Sequence, residues 1–287
     1  MKIGLKIVLA LLATACSNVS AEAPATMRVD YYHTGKNDAE LFSLDRVVIE
    51  PLAWTGNMQQ PIDKTTRGKY LFEIVDPESN RVAWSRSFSS IYGEWETTAE
   101  ARQMHRTFHE SLRFPVQAEL FEVVLKKRGP GNRFDETWRI SIDPNDYLVH
   151  RESALYADQV VAIWVSGDPA TKVDLLLLGD GYTADEHDTF VAKAREMTDV
   201  LFGTAPFKQR KNDFNVWALA PASVMSGISR PSTHTYRDTP VGTSYDSFRS
   251  ERYVLTSENR NWRRIASSTP HESVEILTTT ETYGVRG

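Results

Sequence analysis

The sequence predicts an α+β chain, with a β-sandwich over residues 22–165 followed by an α/β unit over 166–287. Two patterns carry this expectation. Between residue 27 and about residue 144, apolar side chains recur at every second position, the period of half-buried antiparallel strands. After Gly167-Asp168-Pro169 the order becomes apolar strand, capped helix and second strand, the order of an α/β unit. A length of 287 residues suits about two domains.

The first element is an export segment. Lys2 and Lys6 form a short positive region, and Ile7 to Ala15 an apolar one. That stretch is shorter than the roughly 20 residues of a membrane-spanning helix. Val19-Ser20-Ala21 fits the small-x-small rule, so residues 1–21 read as a signal peptide cut after Ala21. A competing reading takes Ala13-Thr14-Ala15-Cys16 as a bacterial lipobox. Cys16 would then be lipidated and tether the chain to the envelope membrane, although Ala13 stands where such boxes usually carry Leu. Either way the protein is expected outside the cytoplasm: periplasmic, secreted or lipid-anchored. Cys16 is the only cysteine. Intramolecular disulfides, zinc sites built on paired cysteines and cysteine catalysis in the mature body are therefore excluded. Net charge is -5, and losing Lys2 and Lys6 makes it more negative. The basic stripe of a nucleic-acid binder is absent.

Within the β-region, Tyr70, Phe72 and Ile74 share one face of a strand, and Val82 and Trp84 continue towards Phe88. Phe121, Val123 and Leu125, then Trp138, Ile140 and Ile142, repeat the pattern. Asp76-Pro77 and Gly129-Pro130-Gly131 mark turns between them. Several short strands at this spacing predict a sandwich. The more polar stretch Thr98 to Leu112 is read as holding a short helix.

In the α/β unit, Val173 to Leu178 reads as a buried strand and Gly179-Asp180-Gly181 as its turn. Thr183 and Glu186 form a capping box. Phe190, Ala194, Met197 and Leu201 recur at helical spacing, Gly203 ends the helix, and Phe214 to Leu219 is the next strand. Residues 223–252 form a long polar connection, a surface excursion on the plain reading and a functional loop on the sharper one. Val274 to Leu277 is a last apolar strand.

Several patterns approach a catalytic or binding motif and fall short. Gly179-Asp180-Gly181-Tyr182-Thr183-Ala184 matches G-x-G-x-x-A between strand and helix. However, Asp180 would set a carboxylate against a pyrophosphate, so a tight turn with an acid at a helix start is preferred. His105 and His109 have the i, i+4 spacing of H-E-x-x-H, but Arg106 replaces the glutamate. They read as ordinary surface histidines. His271-Glu272-Ser273-Val274-Glu275 lacks the second histidine, and His234 near Asp238 reads as solvated. No G-x-S-x-G elbow is present. Trp54, Trp84, Trp95 and Trp138 could line a carbohydrate site, but core packing is the simpler reading.

Longer stretches carry a resemblance. VDLLLLGDGYTADE at 173–186, LFGTAPFK at 201–208 and NDFNVWALAPAS at 212–223 come first in order. SGISRPSTHTYRDTPVGTSYDSFRSERYVLT at 226–256 and ETYG at 281–284 follow. These resemble the first part of the catalytic domain of the IgA-peptidase family of zinc metallopeptidases, and the β-region is similar to its N-terminal domain. The resemblance implies a β-sandwich before an incomplete zincin-like α/β domain. It also implies hydrolysis of protein or peptide substrates by zinc-bound water. The family's H-E-x-x-H follows the Tyr-Gly segment by some tens of residues, and no such motif occurs in the 287 residues. No catalytic, cofactor-binding or metal residue is therefore assigned, and the chain is expected to be inactive as it stands. The end at Gly287 is read as a truncation, early stop or frameshift. The missing helices would leave the sheet of 173–277 uncovered. The alternative reading is a β-sandwich binding module at the cell surface without catalysis.

Overall fold

The structure, a computed structural model, describes residues 23–251 and 253–280 and the backbone of 285–286. The export segment, with Ala21 and Cys16, and the stretch 281–284 lie outside the described residues. The chain folds as α+β. No helix among the described residues is long and apolar enough to cross a membrane.

Eight strands build the first half: β1 (Ala25–Lys36), β2 (Ala39–Ala53), β3 (Tyr70–Val75), β4 (Val82–Phe88), β5 (Arg106–Pro115), β6 (Phe121–Arg128), β7 (Phe134–Ile142) and β8 (His150–Arg151). They form two four-stranded sheets, ordered β5-β1-β2-β8 and β4-β3-β6-β7. Apolar residues from both inner faces interleave: Met27, Val29 and Tyr31 of β1 meet Tyr70, Phe72 and Ile74 of β3 and Val123 and Leu125 of β6. Trp84 and Trp95 are fully buried, and Trp54 and Trp138 pack against the same core. The four tryptophans are packing residues and present no open sugar platform.

The short helix lies earlier than the sequence suggested. Helix α1 (Ile91–Trp95) is capped by Ser90, whose side chain accepts from the Gly93 amide. The stretch Thr98 to Leu112 holds only a 3₁₀ turn at Glu100–Arg102 before β5 begins. Pairing with β1 in register from Gly35↔Arg106 to Thr26↔Pro115 overrides the weak helical signal there.

The second half is a mixed sheet ordered β14-β10-β11-β9, from β9 (Val161–Trp164), β10 (Val173–Asp180), β11 (Phe214–Leu219) and β14 (Ser273–Thr278). Helix α2 (His187–Gly203) returns the chain from β10 to its parallel neighbour β11. Its capping box forms as the sequence predicts, with the Glu186 carboxylate accepting from the Thr183 amide at 2.8 Å. Phe190 and Ala194 pack one sheet face against Leu177, Val216 and Ala218. Gly179 allows this close approach, since a Cβ there would lie 2.7 Å from the Phe190 ring. A short helix α3 (Phe207–Arg210) precedes β11.

The opposite sheet face is covered, contrary to expectation. Helix α4 (Asn259–Ala266) and the polar connection supply Ile265, Ala266, Trp262 and Val241 against Leu176, Leu178 and Leu219. The cover was hidden because α4, NRNWRRIA, carries few apolar residues and looks like surface. A small sheet of β12 (Thr243–Ser244), β13 (Tyr253–Thr256) and β15 (Val285–Arg286) completes the fold.

The sandwich core also contains ionised groups. His33 lies between Glu40 (Nε2 to Oε2, 3.1 Å) and Glu110 (Nδ1 to Oε2, 3.4 Å), stacked on Tyr92 at 3.7 Å. Burial opposes its charge, but hydrogen bonds to Glu110 and Glu40 outweigh that and raise its pKa. Burial likewise works against the Glu40 carboxylate, yet His33, Lys127 and Tyr70 hold it at about 2. These are two views of one ion pair. A raised histidine contributes stability below its ordinary 6.5 that is lost as pH rises through the folded value. A lowered glutamate contributes stability above its ordinary 4.5 that is lost as pH falls towards 2. Stability measured by urea unfolding is therefore expected to peak between those two ordinary values. His33→Asn is expected to flatten the alkaline limb, and an unchanged limb in that variant would contradict the assignment.

Candidate functional site

Part of the outer face of the first sheet, around Arg28, Asp30 and Glu50, is as buried as its inner face. Alternation along β1 points Met27, Val29, Tyr31 and His33 into the sandwich and Arg28 and Asp30 outward. Arg113 and Ser111 of β5 lie in register beside them. Arg28 and Asp30 are nonetheless 0% exposed, because the α/β unit sits on this face. The face carries a cluster of ions paired within the sandwich, and hydrogen bonds from that cluster's edge join it to the α/β unit as a polar seam. Arg28 donates to Asp30 (2.9 Å), Glu50 (3.0 Å) and Glu152 (3.0 Å). Arg113 donates to Glu50 (2.8 Å) and to the His271 carbonyl (3.0 Å). From α4, the Asn259 amide donates to Ser111 (2.8 Å) and to His109 Nδ1 (3.0 Å), and Arg260 reaches Asp45 at 2.7 Å.

Burial penalises each of these charges, and the partners decide the outcome. Burial pushes Glu50 up, but the attraction of Arg113 and Arg28 is stronger and holds it at about 2. Arg28 is raised above the ordinary arginine value because Asp30 and Glu50 overcome its burial. His271 goes the other way: burial and repulsion from Arg113 lower it to about 3, so it stays neutral. Its Nδ1 lies 2.8 Å from the Thr269 carbonyl and so carries the proton.

A cavity of about 950 Å³ opens beside this seam. His109 and Ser111 of β5, Asn259 and Arg263 of α4, Thr256 of β13 and Ile276 of β14 are among its walls.

Among the described residues the zinc implied by the resemblance has no suitable donor set. Asp30, Asp45 and His109 place ligand atoms within 4.8 Å of one another. Their lone pairs are occupied, however. Asp30 accepts from Arg28 and Ser111, and Asp45 from Arg260, Arg46 and His109 Nε2. His109 Nδ1 faces the Asn259 amide, so neither ring nitrogen is free. Three arginines flank the cluster, and a divalent cation would be repelled.

The other sequence candidates are scattered. His105 is exposed ahead of β5 while His109 lies in the seam. Extended chain at about 3.4 Å per residue keeps them too far apart to share an ion. His109 is thus an interface residue and not a surface one. His234 is exposed at a left-handed turn (φ 55°), and Asp238 is exposed too. His271 precedes β14, buried in the seam, with no second histidine beside it.

The glycine loop after β10 is filled by the chain itself. Asp180 is fully buried and accepts from Thr239 Oγ1 (2.9 Å) and the amides of Val241 (3.2 Å) and Thr243 (2.8 Å). Gly181 adopts φ +80°, with the Gly227 carbonyl 2.8 Å from where a Cβ would stand. The Gly227 amide donates to the Gly181 carbonyl at 2.9 Å. Residues 223–243 occupy the space a pyrophosphate would need. Asp180 therefore anchors a loop, whereas its position in the sequence suggested an acid serving the helix dipole.

Comparison with known families agrees with this arrangement. No curated protein matches the chain. The family model for IgA Peptidase M64 matches residues 161–287, and that for the Peptidase M64 N-terminus matches residues 20–139. The two matched segments follow the sandwich and the mixed sheet in order and cover most of the sequence between them. The chain belongs to the IgA peptidase M64 family.

Proposed function

We propose that these 287 residues form the N-terminal domain, 22–165, and the leading part, 166–287, of the catalytic domain of an exported zinc peptidase acting on protein or peptide substrates. The observation that carries the reading is the pair of family matches, set in order on a structure whose two halves meet through hydrogen bonds from Arg113 to the His271 carbonyl and from Asn259 to Ser111. The 287 residues contain no H-E-x-x-H, and the seam histidine and carboxylates are unsuited to a metal. On this reading the 287-residue polypeptide by itself would be inactive. The signal-like start fits export, with either release after Ala21 or a tether at Cys16.

The expected result for the purified polypeptide is no stoichiometric zinc by elemental analysis and no cleavage of casein or peptide libraries. Cleavage that a chelator abolishes would overturn this. The sandwich acting alone as a binding module is disfavoured, since detaching it would uncover Arg28, Asp30 and Glu50.

A further inference from the structure

Arg263 differs from its neighbours in the seam. Arg28, Arg113 and Arg260 each hold a carboxylate. Arg263 has no ion-pair or hydrogen-bond partner among the described residues, and its Nε is buried without one. The guanidinium lies 3.9 Å over the Trp262 ring and borders the 950 Å³ cavity. Burial and repulsion from Arg113 push its pKa down to about 9, so it remains a cation at neutral pH. Arg263 is half-buried, with its Nε buried and unpaired, whereas buried polar groups are normally paired. An arginine fork beside open space suits a carboxylate, which it can bind through two parallel N–H donors.

The size of the incoming charge is limited by the same walls. Glu94, Glu110 and Glu275 also line the cavity. They oppose a dianion such as a phosphate monoester more strongly than a single carboxylate. Ser111, Asn259 and Thr256 add neutral polar groups at the wall, each already hydrogen-bonded within the chain. The apolar sides of Ile276 and Trp262 complete a mixed surface of the kind small ligands use.

We propose that Arg263 is a carboxylate-binding residue and that the cavity takes a peptide carrying an acidic side chain or a free C-terminal carboxylate. The choice of a peptide rests on the peptidase reading above. The carboxylate preference stands on the unpaired arginine and is tested by binding, without turnover. Absence of hydrolysis and absence of carboxylate preference are thus separate results.

Three short peptides of otherwise identical sequence would be titrated into the 287-residue polypeptide by calorimetry at low salt. One has blocked ends and a central Glu, one has blocked ends and Gln in its place, and one has Gln and a free C-terminus. The Glu peptide or the free-terminus peptide is expected to bind about tenfold or more tighter than the blocked Gln peptide, the range of a charge-assisted hydrogen bond. Which of the two does so identifies the source of the carboxylate. Arg263→Met should abolish the difference, and Arg263→Lys should keep part of it, with thermal melts confirming that both variants are folded. Equal affinities for all three peptides, binding of none of them, or a preference that survives Arg263→Met would overturn the assignment.

Discussion

Arg28→Met is expected to destabilise the protein by about 3–5 kcal/mol, the range for removing one partner of a buried ion cluster. In a domain of this size that lowers the melting temperature by roughly 10 °C. The cause is specific. Arg28 is fully buried and is the cation shared by Asp30, Glu50 and Glu152. Methionine matches its length but leaves three carboxylates facing one another without it. Arg113 still pairs with Glu50 and softens the loss at that residue alone. The pH dependence is diagnostic. Without Arg28 the orphaned carboxylates can relieve their repulsion by taking up protons as pH falls below neutrality. The wild-type Glu50 stays ionised down to about 2. The stability gap between wild type and variant should therefore narrow from pH 7 towards pH 4. A gap that is absent at pH 7, or that does not change with pH, would show that the seam holds less strain than its geometry implies.

The second large effect is expected at Asp180. Asp180→Ala strips the acceptor from the Thr239 hydroxyl and the Val241 and Thr243 amides in one change. Each buried donor left without a partner costs about 1–3 kcal/mol. Because Val241 belongs to the apolar cover over Leu176 and Leu178, the loop cannot simply turn to water without uncovering the sheet. Hydrogen exchange over residues 239–243 is expected to accelerate about a hundredfold, reporting local opening. Asp180→Asn should give a smaller acceleration, since its amide keeps one oxygen. Exchange unchanged in Asp180→Ala would mean that packing alone holds the loop.

Strands and helices with a one-sided pattern were legible in the sequence. β3, β6 and β7 alternate cleanly because one face meets the sandwich core. β10, α2 and β11 carry unmistakable periodicity, and the Thr183–Glu186 box marks the helix start. β1 and β2 fall in the stretch read as all-β but were not placed as separate strands, because β1 carries charges on a buried outer face. Arg28 and Asp30 alternate with Met27, Val29 and Tyr31, a period of two that was present but looked like an ordinary amphipathic stretch. Nothing local announces that those charges find partners at Glu50, Ser111 and Glu152. α4 was hidden for the same reason, since Asn259, Arg260 and Arg263 look like surface and instead face the seam. The candidate site was the least legible part. Its members come from β1, β2, β5 and α4, and only the fold brings them together. The resemblance in residues 173–256 supplied the family where the chemistry of isolated residues could not.

The central claim is that the sandwich and the α/β unit are one body, joined by hydrogen bonds from Arg113 and Asn259 and by the Arg260–Asp45 pair. Limited proteolysis of the 287-residue polypeptide tests it most directly. The account predicts that the described region survives as a single resistant species, and that Arg113→Met, which removes the donor to the His271 carbonyl, releases a fragment near residue 165 under the same conditions. A wild-type chain that is promptly cut near residue 165, leaving a stable sandwich while the remainder is degraded, would contradict it.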